Sequence, residues 1–290
     1  MKLNQKGFTL IELMVSLVLG LIVVAAGTML FLSAQKNLAL QNAASNIQNN
    51  ANFGMGYLTK NIRISNLNTG DTVLNHKTPY GGIVFGQTND IKVSQSQSNQ
   101  SLSNIVNMKS DQLTIRYKPQ QEGVDCSGTK IEKNDLNQYV VERYFIRKDD
   151  KVNQDESGGE VLSLACQSGR QQVGKPINWQ ASGGTSERET NSQVIIQGVD
   201  YFTVRLIVID GNSKLAEVPI SEYTKKDAPT SNIVGVNLGM IVRSLQPIGT
   251  DIGKIFNLFG QELSLKNNTP TQYMREVISQ TVALRNTSED

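Results

Sequence analysis

The fold of this chain follows from residues 1–32, MKLNQKGFTLIELMVSLVLGLIVVAAGTMLFL. From Phe8 to Leu32 the stretch contains a single charged side chain, that of Glu12. At ~1.5 Å per residue, these roughly 25 residues form a helix of about 37 Å, longer than the ~30 Å hydrocarbon core of a bilayer. Residues 8–32 are therefore predicted to span a membrane.

Two lysines, Lys2 and Lys6, precede the apolar run and favour a cytoplasmic N-terminus, although Lys36 follows it. An ordinary secretory signal has a shorter apolar run and a cleavage site of small residues behind it. Here the small residue, Gly7, stands in front of the run. Cleavage after Gly7 would remove both lysines and leave the whole apolar helix on the mature protein.

The stretch KGFTLIELMVSLVLG, residues 6–20, resembles the leader and N-terminal helix of type IV pilins and of type II secretion pseudopilins. The resemblance extends over residues 1–35 and includes Gly, Phe, Thr, Leu, Ile and Glu in order. It implies that a prepilin peptidase cleaves between Gly7 and Phe8 on the cytoplasmic side. It also implies that the new N-terminus, Phe8, is N-methylated.

Glu12 requires a partner, because a carboxylate inside a bilayer costs at least ~2.5 kcal/mol. Phe8 and Glu12 are four residues apart and share one helix face, and an acidic group in the first turn complements the helix dipole. The resemblance implies that Glu12 pairs with the Phe8 amine of a neighbouring subunit and sets axial register during assembly. The alternative is a carboxylate that lies in the headgroup region without a role.

After Leu32 the helix is predicted to continue to residue 65, because apolar residues recur at spacings of three and four. This stripe, which we expect to pack on a globular domain, consists of Leu40, Ala44, Ile47, Ala51, Met55, Leu58 and Ile62. Residues 50–56 include two asparagines and two glycines and predict a kink or bulge. Residues 66–71 carry the helix stop signal.

The rest of the chain predicts short strands, at Ile83–Phe85, Leu113–Lys118, Tyr139–Arg147, Val161–Cys166, Val194–Gln197, Phe202–Asp210, Val234–Arg243 and Glu276–Leu284. Short strands after one long helix predict an α+β, pilin-like fold in which an antiparallel sheet packs on the helix. Polar residues 94–103 and 181–192 are predicted to be mobile surface loops.

The predicted organisation has four parts. Residues 1–7 form a leader peptide, and residues 8–32 form the membrane-spanning assembly helix. Residues 33–65 continue that helix, and residues 66–290 form a β-rich periplasmic or extracellular domain.

The two cysteines, Cys126 and Cys166, both lie in the predicted exported part, which favours a disulfide. Closing a loop of ~40 residues would be worth about 4 kcal/mol of stability. The alternative is two buried free thiols. Neither cysteine has the CxxC spacing of a redox or zinc site.

Catalytic and metal-binding patterns are absent from the sequence, which contains no HExxH, GxxxxGK[ST] or GxSxG. The single histidine, His76, is predicted to be a solvated loop residue, and Asp149 and Asp150 are predicted to lie on a turn surface. We therefore expect no enzyme activity, no cofactor and no metal site.

The charge balance does not favour nucleic-acid binding. The chain has 28 basic and 26 acidic side chains, so loss of Lys2 and Lys6 leaves 26 of each. Residues 143–148 mix bases with aromatics, but alternation along a strand places Arg143 and Tyr144 on opposite faces. We expect a core strand with a polar outer face and no direct contact with nucleic acid.

Two further segments narrow the resemblance. IIQGVDYFTVRL, residues 195–206, and SQTVALRN, residues 279–286, are similar to segments of PilW-type minor pilins. The resemblance implies a non-enzymatic subunit that helps to prime type IV pilus assembly at or near the pilus tip, supporting twitching motility and DNA uptake. Its partners would be other minor pilins, the major pilin and the prepilin peptidase.

This resemblance also implies a location. Before assembly the protein would cross the bacterial inner membrane once, with a cytoplasmic N-terminus, and would then join the pilus at the cell surface. The alternatives are a type II secretion minor pseudopilin, a pilus-tip adhesin or DNA-binding module, and a membrane-tethered enzyme.

Overall fold

A computed structural model of the chain describes residues 7–70, 73–86, 92–149, 160–179, 192–225, 230–249 and 253–287. Lys2, Lys6, Asp150 and all of the predicted loop 181–192 except Ser192 lie outside the described residues.

Helix α1 spans Leu10–Arg63 and is capped at its start by Thr9. Its first part is exposed, and burial begins at Ala43. The predicted stripe is confirmed from Ile47 onward, where Ile47, Ala51, Met55, Leu58 and Ile62 are all buried. Leu40, by contrast, is exposed, because the contact with the domain begins only after it. One helix therefore has an exposed apolar half and a half that is packed on the domain.

The predicted bulge in residues 50–56 is wrong, because every residue of α1 is α-helical. Two of the weak helix formers instead allow the helix to approach the domain. The Asn50 side chain donates to the carbonyl oxygen of Gln197 over 2.7 Å. A Cβ atom on Gly54 would lie 2.1 Å from Cγ1 of Ile196. Tertiary contact thus outweighs the low helix propensity of these residues.

We expect Gly54→Ala to lower the free energy of unfolding by at least ~1 kcal/mol, since Ile196 is fully buried and cannot move aside. Gly56→Ala is the matched control. A Cβ at Gly56 would meet nothing within 4 Å, so this substitution should stabilise the helix by up to ~1 kcal/mol. Urea unfolding of both full-length variants in detergent measures the effects, and equal stabilisation by both would contradict the close approach at Gly54.

The described strands, in chain order, are β1 (Leu113–Tyr117), β2 (Gly123–Val124), β3 (Lys130–Ile131), β4 (Tyr139–Lys148), β5 (Leu162–Gln171), β6 (Asn178–Trp179), β7 (Gln193–Gln197), β8 (Val199–Ile209), β9 (Leu215–Pro219), β10 (Asn232–Arg243), β11 (Ile255–Leu258), β12 (Gln261–Ser264) and β13 (Arg275–Ala283). A 3₁₀ helix at Lys133–Asn137 and a short helix, α2, at Ile220–Tyr223 complete the described elements.

Within the described residues the strands form two larger sheets and two hairpins, and every pairing is antiparallel. The first sheet has the order β1-β4-β5-β6, with β7 also paired to β5. The second has the order β13-β10-β8-β9. The buried face of α1 and residues of both sheets form one hydrophobic core. The predicted α+β fold, a long helix packed on antiparallel β-structure, is confirmed.

Most predicted strands are present with shifted ends, but Ile83–Phe85 is not a strand. Ile83 forms only an isolated bridge with Ile115. The backbone bonds to β1 on both sides of this bridge, since the Gly82 carbonyl accepts from the Arg116 N–H over 2.8 Å and the Val84 N–H donates to the Thr114 carbonyl over 2.9 Å. The pairing does not extend into a strand, because the Gly82 N–H donates to Oδ1 of Asn66 over 2.9 Å and the Val84 carbonyl accepts from the Ser94 N–H over 2.8 Å.

The prediction of a mobile surface loop at residues 94–103 is also wrong. Ser94, Ser98, Ser101 and Ser103 are buried. The Ser101 hydroxyl accepts a hydrogen bond from the Ile146 N–H over 2.9 Å, and the Leu102 N–H donates to the Ile146 carbonyl over 2.9 Å. The serine-rich segment therefore covers strand β4, and its small hydroxyls satisfy buried backbone groups.

Candidate functional site

The start of α1 is an N-terminal cap built by Thr9 and Glu12. The Thr9 hydroxyl accepts a hydrogen bond from the Glu12 N–H over 3.4 Å. In return, Oε2 of Glu12 accepts hydrogen bonds from the Thr9 N–H and the Thr9 hydroxyl, each over 3.2 Å. This reciprocal arrangement is a capping box, which satisfies helix N–H groups that otherwise lack acceptors.

The cap places the Glu12 carboxylate one residue from the predicted new N-terminus. Oε2 of Glu12 bonds to the backbone nitrogen of Thr9, the residue that follows Phe8. Cleavage of the bond between Gly7 and Phe8 would create a cationic amine beside this carboxylate. In this structure the carboxylate bonds to the cap of its own helix.

The helix beyond this cap presents an apolar surface that is exposed in the part of the chain that the structure describes. Every residue from Gly7 to Leu38 is exposed, and Phe8 is 85% exposed. Exposed apolar area of this extent marks a membrane or protein contact. Helix α1 is long and apolar enough in this part to cross a membrane.

The two cysteines lie in the core of the domain. Cys126 follows β2, Cys166 lies in β5, and the two form a disulfide with Cα atoms 5.9 Å apart. Both side chains are buried. The Glu142 carboxylate lies within 4.8 Å of both sulfur atoms. Because the two sulfur atoms are bonded to each other, this group offers no thiolate to a metal ion.

A hydrogen-bond chain joins this disulfide to α1. Asn61 of α1 donates from Nδ2 to the Tyr144 hydroxyl over 3.0 Å, and that hydroxyl donates to Oε2 of Glu142 over 2.6 Å. Oε1 of Glu142 accepts from the Cys126 N–H over 3.0 Å and from the Tyr117 hydroxyl over 3.2 Å. The last turns of the helix are thus tied to β4 and to the disulfide through buried polar groups.

Burial raises the pKa of the Glu142 carboxyl, and the nearby Asp125 carboxylate raises it further, whereas the hydrogen bonds from Tyr144, Cys126 and Tyr117 lower it. Burial prevails because the charged form loses its hydration there. The folded state consequently binds this proton more tightly than the unfolded state does. The stability that Glu142 contributes is present in full below the pKa of the unfolded chain and is lost as the pH rises through the raised folded pKa.

The variant Glu142→Gln tests the direction of this pH dependence, because the glutamine side chain is similar in shape and does not titrate. We expect the stability of the variant, relative to wild type, to increase between pH 4 and pH 8. Urea unfolding of both proteins at pH 4, 6 and 8 measures the difference in their free energies of unfolding. Titrating groups that both proteins share contribute equally to each value and cancel in this difference. A difference that does not change with pH, or that falls as pH rises, would contradict the assignment.

The sequence-predicted positions of two polar groups require correction. His76 is half-buried rather than solvated, and its ring packs edge-on against Tyr223 with centroids 5.3 Å apart. Burial and the neighbouring Lys77 lower its pKa. Asp149 is buried and accepts a hydrogen bond from Ser163 over 2.9 Å, so it does not lie on a turn surface. The histidine packs on α2, and the aspartate anchors the end of β4.

Residues 143–148 alternate as predicted, but their outer face is buried. Tyr144 points to α1, whereas Arg143 lies on the other face with its guanidinium carbon 3.8 Å from the ring centroid of Phe145. Arg143 also donates from Nε to Oε1 of Gln112 over 2.8 Å. These buried groups are not accessible for stacking on a nucleobase.

Two charged groups of the domain interior, Glu142 and Arg116, were not singled out from the sequence. Each sits at an ordinary position of a strand, Glu142 in β4 and Arg116 in β1. Strand alternation alone predicts two opposite faces but does not reveal that both are covered.

Comparison with known protein families finds one match at the N-terminal helix and one in the β-rich domain. The family model of the prokaryotic N-terminal methylation motif matches residues 2–28. The family model of the type IV pilus-assembly protein W matches residues 143–286, which include both segments noted in the sequence. No curated protein sequence matches the chain.

Among solved structures, a type IV-like pilin from Thermus thermophilus is similar to the chain with 12% sequence identity and a TM-score of 0.39. The match covers 83% of this chain and 98% of that one. The two family matches together span more than half of the sequence, at the helix and in the domain. Over residues 143–286, just under half of its length, the chain therefore carries the domain of the type IV pilus-assembly protein W family, and at residues 2–28 it carries the N-terminal methylation motif.

Proposed function

We propose that the protein is a non-enzymatic subunit that helps to prime type IV pilus assembly and is incorporated at or near the pilus tip. The match of residues 143–286 to the type IV pilus-assembly protein W family supports the general role. The observation that carries the proposal is the division of α1 into an exposed apolar half with one carboxylate and a half that is packed on a β-rich domain.

The proposed sequence of events begins in the inner membrane. Residues 8–32 span the bilayer while Lys2 and Lys6 hold the leader on the cytoplasmic side. The prepilin peptidase hydrolyses the peptide bond between Gly7 and Phe8 and methylates the new amine. The apolar half of α1 then leaves the lipid and packs among the helices of the major pilin and the other minor pilins.

This transfer needs a specific interaction, because lipid and neighbouring helices are equally apolar. Helix association in such surroundings depends on close packing and on polar contacts rather than on the hydrophobic effect. Glu12 is the only acidic or basic side chain between Phe8 and Leu32, so we propose that it supplies the polar contact. A carboxylate and an amine attract each other strongly where little water is present. Their pairing would align one subunit with the next.

The domain is attached to the helix firmly enough to transmit that alignment. Asn50 and Gly54 bring α1 against β7, and the Asn61 side chain enters the hydrogen-bond chain to the disulfide. Buried, satisfied polar groups of this kind fix one arrangement of the packed elements. We propose that the domain sits in a defined position at the pilus end, and that twitching motility and DNA uptake depend on it through the pilus.

A strain that lacks the gene tests the proposal. Surface pili, twitching, DNA uptake and the export of type II secretion substrates are measured in the same cultures, with and without a wild-type copy. We expect loss of pili, with loss of twitching and DNA uptake, and unchanged secretion. Loss of secretion with normal pili would instead indicate a type II pseudopilin. No change in any of these would favour an anchored binding module or enzyme.

A further inference from the structure

A cavity of about 560 Å³ opens on the domain beside strand β1. We call it the Arg116 cavity, and its lining includes Tyr80, Phe85, Arg116, Lys175 and Ile177. Its volume lies in the range of sites that hold small organic molecules. The walls are mainly aromatic and aliphatic, and a guanidinium lies among them.

Arg116 is buried but poorly satisfied. Its side chain is 6% exposed, and its Nε has no hydrogen-bond partner among the described residues. Its single hydrogen bond in that part of the chain, from Nη1 to the Gly81 carbonyl, is 3.5 Å long, at the limit of such contacts. Burial lowers its pKa to about 10, so the guanidinium remains charged at neutral pH.

Two other buried arginines of the domain are each paired with a carboxylate. Arg170 donates to Oδ2 of Asp125 over 2.8 Å, and Arg275 donates to Oδ2 of Asp200 over 2.7 Å. Arg116 makes no ion pair with any carboxylate in the described residues. A buried charge is costly unless an opposite charge and hydrogen bonds compensate it.

The Arg116 guanidinium contacts the rings of two tyrosines, and these contacts do not replace an ion pair with a carboxylate. Its carbon lies 5.5 Å from the ring centroid of Tyr80 and 5.9 Å from that of Tyr139. The two rings stack with centroids 5.4 Å apart and an interplanar angle of 13°. Such contacts orient a guanidinium but satisfy none of its N–H groups. The ring of Tyr80 also forms part of the cavity wall.

We propose that the Arg116 cavity binds the carboxylate of a small organic acid whose body is a ring or an apolar group. A guanidinium presents two parallel N–H groups that match a carboxylate. Of the two basic side chains that line the cavity, Arg116 is buried and Lys175 is exposed. The one buried cation suits a ligand with a single negative charge. The pKa of His76, which also lines the cavity, is lowered, so this ring adds no charge at neutral pH. Tyr80, Phe85 and Ile177 would contact the ligand's body.

The cavity lies close to the end of α1 that is farthest from Phe8. The carbonyl oxygen of Arg116 accepts a hydrogen bond from the Asn66 N–H over 2.9 Å, just after the end of α1 at Arg63. A helix of 54 residues is about 80 Å long at ~1.5 Å per residue. A ligand there would therefore be bound far from the membrane anchor.

Binding is tested with the full-length protein in detergent micelles by saturation-transfer NMR and calorimetry. The probes are benzoate and D-glucuronate, with benzamide, D-glucose and inorganic phosphate as comparisons and empty micelles as the blank. We expect saturable binding of at least one carboxylate with a Kd of about 1 mM or tighter. The neutral counterparts and phosphate should bind more weakly than that carboxylate.

Three variants locate the site. Arg116→Met should weaken carboxylate binding roughly 10-fold or more, because it removes the charged donors. It should unfold no more readily than wild type, because it also removes an unpaired buried cation. Ile177→Trp places a larger side chain in the cavity lining and should abolish binding with Arg116 intact. Lys214→Met is the surface control, because Lys214 is exposed and does not line the cavity, and it should leave the Kd within about 3-fold.

Several outcomes would overturn the proposal. These are an absence of saturable binding of both carboxylates, equal binding of a carboxylate and its neutral counterpart, tighter binding of phosphate, and full binding by Arg116→Met or by a folded Ile177→Trp. If Arg116→Met fails to fold, Ile177→Trp alone decides. The test does not depend on pilus assembly.

Discussion

The Glu12→Ala variant is expected to be inserted and cleaved normally but to leave cells with few or no surface pili. The substitution removes the single carboxylate of the exposed half of α1. The amine of the neighbouring subunit would then be buried without a partner, which costs about 3–5 kcal/mol for a charge that loses its counter-ion. Electron microscopy counts the pili, and the size of the protein on an immunoblot reports leader cleavage.

Two companion variants separate the charge of Glu12 from its role in the helix cap. Glu12→Gln retains an oxygen that can accept from the Thr9 N–H but carries no charge, so it should fail as Glu12→Ala does. Thr9→Ala removes the hydroxyl that accepts from the Glu12 N–H but leaves the carboxylate, at a cost of about 1 kcal/mol to the helix. It should retain most pili. Normal pilus numbers in the Glu12→Ala strain would contradict the role in axial register.

Loss of the disulfide is expected to cause the largest change in stability. Cys126→Ser opens a loop closed across 40 residues, which lowers the free energy of unfolding by about 4 kcal/mol on the chain-entropy estimate. The substitution also buries a hydroxyl next to the disulfide partner and alters the site where the Cys126 N–H donates to Glu142. Urea unfolding of the oxidised full-length protein and the variant in the same detergent measures the change.

The double variant Cys126→Ala, Cys166→Ala controls for the buried hydroxyl, because it removes the cross-link and adds no polar group. It should lose most of the same stability, and wild type treated with a reductant should resemble it. If oxidised wild type, reduced wild type and the double variant all unfold at one urea concentration, the disulfide contributes nothing to the stability of the fold.

The N-terminal half of α1 could be predicted because its signals are local. Apolar character over residues 8–32 and the Thr9–Glu12 spacing depend on the order of residues alone. The packed half was predicted less well where the domain decides the outcome. Leu40 continues the apolar pattern but precedes the part of α1 that contacts the domain. Gly54 is a weak helix former, but the close contact with Ile196 requires a residue without a Cβ atom.

In the β-rich domain, strands with strong β-branched or aromatic character, such as β4, β8 and β10, could be predicted, although their ends shifted. Strand β9 was missed because its sequence, LAEVP, includes Ala and Pro and makes a weak signal. The arrangement into two sheets depends on pairing between distant segments, which a single sequence does not specify.

The polar groups of the interior were the least predictable part. Residues 94–103 have the composition of a mobile loop, yet their serine hydroxyls bond to the backbone of β1 and β4. Arg116 alternates with apolar neighbours as a solvent-facing strand residue would. It is buried beside the rings of Tyr80 and Tyr139, and only the tertiary structure shows that it has no carboxylate partner among the described residues.

The most direct test of the proposed assembly role is the N-terminus of the protein in sheared, purified pili. Mass spectrometry of an affinity-enriched sample identifies the first residue and its modification. We predict a peptide that begins with N-methylated Phe8 in the pilus fraction and the uncleaved form only in membranes of a peptidase-deficient strain. Protein in the pili that still carries residues 1–7, or mature protein that is absent from pili of the wild-type strain, would contradict its incorporation through the exposed half of α1.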